Sequence, residues 1–290
     1  MTASGTGADL RPATRQPFDL GVSSRTQLLS VAAFVGLSLT FAAIAFVAGT
    51  PAPLMPFALV VAPTIIAIAC AWREGHGAVR RLLRSLTIRP NRARWYLVLL
   101  LPLIWALATV GIAVILGEPS AGLFDRLVPA ILIVPLVVLL PAFMEELAWR
   151  GFVLPRLMSV MSPLQAALIL AVPWTLIHVI LFLPGQQYDI LAIWPMVLSI
   201  FAYSIVLTWV YVGTGGSVLL TALLHAGLNG VAPLMAGVDA DASWAIRNIL
   251  AAGIALGLIA LGAFRPMWSR IPSADAEMAT SPDPRLGTQP

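Results

Sequence analysis

The chain contains no lysine, a single cysteine and few charges of either sign. With Cys70 alone, an intramolecular disulfide and a cysteine-rich metal site are both excluded. Charged residues make up 10% of the 290 positions and hydrophobic ones 59%, and the mean hydropathy is +0.92. One soluble core could not hide so much apolar surface. No long stretch shows balanced polar and apolar patterning, so a sizeable soluble domain is excluded and the reading is an integral membrane protein. The net charge of +4 comes from 17 arginines set against 13 acids. In a soluble protein such basicity would suggest a nucleic-acid partner. Here the arginines gather in a few connections, so membrane lipids are the expected partner and nucleic acid is not. The all-arginine usage fits a GC-rich bacterial genome, and hence a bacterial cytoplasmic membrane.

What the chain does have is length of apolar sequence. Eight stretches, at about 27–49, 53–72, 95–116, 128–150, 162–183, 190–212, 217–236 and 244–264, each approach the ~20 residues that cross a hydrocarbon core of about 30 Å. The expected fold is all-α and polytopic, with about eight transmembrane helices in a single domain over 27–264. Residues 1–26 lack both apolar periodicity and the pattern of a cleaved signal peptide. They and residues 265–290 are expected to be disordered tails.

Basic residues near helix ends are retained on the cytoplasmic side. Arg11, Arg15 and Arg25 precede the first stretch, and Arg73, Arg80, Arg81, Arg84, Arg89, Arg92 and Arg94 crowd the second connection. Arg150 and Arg156 lie at the fourth stretch, and Arg265, Arg270 and Arg285 follow the last. The opposite side receives only Arg126 and Arg247. Both termini are therefore expected in the cytoplasm, a parity that eight crossings satisfy. The basic connection can be a plain topology determinant, the simpler reading, or a short amphipathic helix on anionic lipid.

Within this apolar background, Glu145 and Glu146 end the run from Leu127 to Phe143. A charged side chain at mid-membrane costs about 2.5–3.5 kcal/mol on insertion scales, so it usually has a task. Arg150 follows Glu146 by four residues, the favourable order for an ion pair, whereas Glu145 points about 100° away. This assigns Glu146 and Arg150 to structural support and leaves Glu145 to face His178 across a helical hairpin broken at Ser162-Pro163. His225 and Asn229, four residues apart, share a face of the seventh stretch. Any one of these groups alone could be interhelical glue. Together, with almost nothing else ionisable in the spans, they suggest an enclosed intramembrane polar site.

Glu145-Glu146-x-x-x-Arg150-Gly151, His178, and Gly216-Ser217 leading into His225-x-x-x-Asn229 resemble the motifs of the CPBP family. These are the CAAX proteases and bacteriocin-processing enzymes, also called Abi proteins, and they include the type II CAAX prenyl endopeptidases. The resemblance covers about 128–234. One departure stands out: the family's Phe-x-x-x-His motif reads Trp174-Thr-Leu-Ile-His178 here, adding bulk and an N–H donor.

The resemblance implies an intramembrane endopeptidase acting on a membrane-associated peptide or protein, with a prenylated CAAX-like substrate as one option. It implies Glu145 as general base, His178 holding the same water, and His225 and Asn229 donating to the oxyanion. Two chemistries fit: a water held by side chains, or a divalent metal such as zinc bound by Glu145, His178 and His225. Two other function classes stay open, a non-catalytic bacteriocin self-immunity or scaffold protein on the same fold and a transporter with a proton relay. Topology is directly testable. Reporter fusions after residues 86 and 264 should read cytoplasmic and a fusion near residue 240 should read external; the reverse pattern would overturn the assignment.

Overall fold

The computed structural model describes residues 23–90, 92–117, 134–186, 188, 190, 193–230 and 240–264. Among the described residues the regular structure is helical throughout, without a strand. The helices are α1 (Ser24–Val47), α2 (Met55–Arg73), α3 (His76–Arg84), α4 (Leu101–Ile115), α5 (Val134–Glu146), α6 (Leu154–Leu157), α7 (Pro163–Val179), α8 (Ile193–Gly213), α9 (Val218–Gly230) and α10 (Ala240–Ala260). A 3₁₀ segment, Ala93–Leu100, leads into α4, and a π-helical segment, Leu147–Val153, joins α5 to α6.

Five helical stretches are long and apolar enough to cross a membrane: Ser24–Val47, Met55–Arg73, Ala93–Ile115, Pro163–Phe182 and Ile193–Gly213. They coincide with five of the eight expected stretches. The other three correspond to α5, α9 and α10; α5 and α9 are shorter because parts of their stretches (128–133 and 231–236) fall outside the described residues. The expected tails likewise fall outside, except that α1 starts before residue 27. Ser23 caps it, its hydroxyl accepting from the Thr26 N–H at 3.3 Å.

Large apolar side chains on α1, α2 and α4, including Leu37, Phe41, Ile44, Phe57, Ile65, Ile104 and Leu107, are exposed. That exposure suits a surface facing acyl chains, where burial is not needed to remove it from water. The interior is a continuous apolar core containing Phe34, Trp105, Trp149, Phe152, Leu170, Trp174, Leu207 and Leu224. α9 lies along α5, α7 along α8, and α10 against α8 and α4, while α1 and α2 pair and close on α5 and α7.

The chain ends its helices where local chemistry dictates. α7 opens on a capping box: Ser162 Oγ accepts from the Gln165 N–H at 3.3 Å, and Gln165 Oε1 accepts from the Ser162 N–H at 3.1 Å. Pro163 then takes the first helical position, which needs no N–H. Between α8 and α9 the chain reverses through Gly215 and Gly216, at φ of 80° and 98°, a conformation side chains disfavour. Ser217 caps α9, accepting from the Leu220 N–H at 3.2 Å, and donates to the Ile88 carbonyl at 2.6 Å.

The basic connection is more than a string of charges. α3 is a short amphipathic helix, the option given less weight from sequence; Ala78 and Leu82 are buried while Arg80, Arg81 and Arg84 face outward. Its close approach to the π segment passes over Gly151, where a Cβ would lie 2.9 Å from Leu82 Cδ1.

Arg156 is 3% exposed. Its Nε and Nη2 donate to the two Glu74 oxygens at 2.9 and 2.5 Å, and its Nη1 donates to the Phe152 carbonyl at 2.6 Å. The guanidinium also stacks 3.6 Å from the Phe152 ring centroid. This two-toothed pair fastens α6 to the end of α2. Burial pushes the Glu74 carboxyl up, but hydrogen bonds from Arg156 and Ser30 and the charges of Arg156 and Arg81 outweigh it and hold it below its ordinary value of 4.5.

A depressed carboxyl contributes stability above its unfolded-state pKa and loses it as pH falls through the folded-state value. The detergent-solubilised protein should therefore lose thermal stability as the pH is lowered below about 4.5. Glu74→Gln should remove that component of the acid sensitivity. An unchanged difference between pH 6 and pH 3.5 in the variant would show that the pair carries none of it.

Candidate active site

The site is built where α5 ends. An α-helix continued past Glu146 would need an N–H at residue 155 for the Gly151 carbonyl, and Pro155 has none. The turn widens instead into the π segment, closed by the Leu154 N–H on the Trp149 carbonyl. Support comes from α2, where Thr64 Oγ1 lies 2.9 Å from the Met144 carbonyl and 2.9 Å from the Val60 carbonyl.

The two adjacent glutamates diverge. Glu146 is fully buried, and its Oε1 accepts from Arg150 Nη1 at 2.8 Å and from His225 Nδ1 at 2.9 Å. The Glu146–Arg150 ion pair is thus present, and it has a third member on α9 that the sequence spacing did not reveal. Nothing in the sequence marks an Nδ1 contact between residues 146 and 225, since it depends on α9 lying along α5. The guanidinium of Arg150 is 0% exposed and sits 4.3 Å from the Trp174 ring centroid, a cation–π contact worth more in a dry site.

Glu145 is only partly buried. Its Oε2 accepts from the indole Nε1 of Trp174 at 3.0 Å. The sequence reading sets Glu145 level with His178; in the structure its direct partner is Trp174, one turn earlier on α7. His178 Nδ1 lies 2.9 Å from the Trp174 carbonyl. The His178 and His225 rings stand edge-on to the indole, with centroids 6.1 and 5.7 Å from it. Trp174, itself 2% exposed, therefore lies against Glu145, Arg150, His178 and His225. From sequence it stands out only as a departure adding bulk and an N–H donor, and that donor is the available signal.

The partners assign the histidine tautomers. A carboxylate and a carbonyl can only accept, so Nδ1 carries the proton in both rings. The Nε2 atoms are left for other partners: in a neutral ring Nε2 accepts, and in an imidazolium it donates. Asn229 stands one turn beyond His225 on α9 and is exposed, unlike His225, which is 3% exposed.

Glu145, His178 and His225 each lie against the Trp174 indole. Among the described residues, no three His, Cys, Asp or Glu side chains form a group that could hold a metal ion. The residues as placed do not make the three-ligand set considered from sequence.

Residues 127–231 match a family model described as type II CAAX prenyl endopeptidase Rce1-like. The match runs across α5, the π segment, α6, α7, α8 and α9, and so contains every residue of the site. No curated protein matches the chain.

Removing one member of a buried charge pair leaves the other uncompensated, at a cost of about 3–5 kcal/mol. Glu146→Gln should therefore lower the unfolding temperature and the membrane abundance of the protein, whereas Glu145→Gln, altering a partly exposed group, should change both little. Equal losses in thermal-shift and immunoblot measurements would contradict the separate placement of the two carboxylates.

Proposed function

We propose that this chain, whose residues 127–231 match an Rce1-like family model, is a CAAX-type intramembrane endopeptidase that hydrolyses its substrate with a water activated by Glu145 and His178. The observation that carries the reading is the convergence on one indole of a partly exposed carboxylate and two imidazoles whose Nδ1 atoms are already engaged. Such a set leaves one carboxylate oxygen and two Nε2 atoms available for a reacting molecule. In a bilayer these groups are costly to retain without use.

In the proposed reaction a water hydrogen-bonds to Glu145 and to the bare Nε2 of His178. As the water oxygen attacks the scissile carbonyl carbon, Glu145 takes its proton and the carbonyl electrons move to oxygen. His225 and Asn229 face the resulting oxyanion. Because Glu146 occupies His225 Nδ1–H, Nε2 donates only when the ring is an imidazolium, whose charge the Glu146 carboxylate is placed to balance. Collapse of the intermediate restores the C=O bond and breaks the C–N bond. The amine nitrogen takes the proton that Glu145 received, directly or relayed through His178 Nε2, so that both groups are reset. Glu146 and Arg150 hold the end of α5 and the α9 histidine in register and do not touch the substrate.

The substrate class follows the family reading: a membrane-associated peptide or protein, with a prenylated Cys-aliphatic-aliphatic-X terminus as the first to try. The apolar faces beside the site suit a chain that arrives from the lipid. In this reading the exposed arginines of α3 and the 3₁₀ segment lie at the cytoplasmic end of the bundle, with both termini on that side, as basic residues near helix ends favour.

Glu145→Gln keeps the shape of the side chain and removes its basicity. Hydrolysis should fall by at least about 100-fold, the scale of a general base, with membrane abundance unchanged. The measurement is a comparison of peptide termini in the membrane proteomes of cells carrying the wild-type and variant proteins, alongside the metal content of the purified protein. Identical termini in the two would remove the endopeptidase reading, and a protective phenotype retained by the variant would favour a non-catalytic immunity role.

A further inference from the structure

The CPBP motif that the sequence resembles has a phenylalanine where this chain has Trp174, and the change adds one polar atom as well as bulk. Indole Nε1 is a donor and never an acceptor. Its contact with Glu145 Oε2 at 3.0 Å therefore has one polarity, with the carboxylate accepting. No phenylalanine can supply it.

The ring that makes the contact has little freedom to move. Trp174 is 2% exposed, with the Arg150 guanidinium 4.3 Å from its centroid and the Trp149 ring 6.2 Å away. The His178 and His225 rings stand nearly perpendicular to it, at interplanar angles of 79° and 76°. A donor held so firmly orients its acceptor. The same residue's carbonyl receives His178 Nδ1–H, but that bond belongs to the main chain and survives any replacement of the side chain.

We propose that Trp174 is a positioning residue: its indole N–H fixes one oxygen of the Glu145 carboxylate, so that Oε1 is presented to the water. The proposal rests on the endopeptidase reading only for its catalytic consequence, because the contact itself can be observed without turnover. Trp174→Phe restores the family's aromatic and removes the donor, together with some volume. Replacing Trp174 by 3-benzothienylalanine exchanges N–H for sulfur and keeps the bicyclic shape, which separates the hydrogen bond from packing.

Two measurements test it. In ¹⁵N-indole spectra of the detergent-solubilised protein, the Trp174 resonance, identified by its loss in Trp174→Phe, should move upfield in Glu145→Ala. With a fluorescence-quenched prenylated Cys-aliphatic-aliphatic-X peptide as substrate, both Trp174 replacements should lower kcat by about 10- to 100-fold, as expected for loss of a hydrogen bond to a charged group. KM and the unfolding temperature of the benzothienyl protein should stay near wild type. An indole resonance unmoved by Glu145→Ala, or a benzothienyl protein with wild-type kcat, would overturn the proposal. A wild-type protein that fails to cleave the peptide counts against the endopeptidase reading with that substrate; the inference then stands or falls on the indole resonance.

Discussion

Glu146 and Arg150 face each other at 2.8 Å with neither side chain reaching solvent, and the rest of the site depends on that pairing. In a low-dielectric interior an isolated charge is costly enough to expel the helix that carries it or to lose its ionisation. Paired, the two charges can stay, and the carboxylate still has capacity for His225 from α9. One oxygen therefore joins the end of α5, the π segment and the third motif helix. The Trp174 ring closes over the guanidinium from α7 and brings the remaining helix to the same place.

The widened turn after Glu146 gives this cluster its shape. Pro155 removes an α-helical donor, and the π segment shifts the phase between Glu145 and the residues that follow. Wide turns of this kind recur at functional sites because they redirect side chains that a regular helix would align. Gly151 within the turn lets α3 come close, and the Glu74–Arg156 pair fastens the far end. The bent helix thus has supports on both sides: Thr64 of α2 at its start, and the juncture of α2 and α6 at its finish.

This arrangement divides labour between two neighbouring carboxylates of identical chemistry. Glu146 is enclosed, with Oε1 held by both Arg150 and His225, an arrangement that suits keeping other groups in place. Glu145 accepts from one neutral donor and retains partial exposure, the condition a proton acceptor needs if a reagent is to reach it. Environment, and not residue type, separates the roles.

Hydropathy alone determined that this is a helical membrane protein, because eight apolar stretches in so weakly charged a chain have no other stable home. The residues of the candidate site were legible for the same reason: ionisable groups are so rare in the spans that each one is conspicuous. The Glu146–Arg150 pair could be read as well, being local to one helical turn. What the sequence could not supply was any contact between residues far apart in the chain. His225 on Glu146, Trp174 on Glu145 and Arg156 on Glu74 each depend on how helices lie against one another, and hydropathy marks apolar stretches without setting their neighbours. The π turn was hidden too, since counting at 100° per residue assumes the regular helix that Pro155 interrupts. Tertiary packing, by deciding which donor reaches which oxygen, made Trp174 the centre of the site.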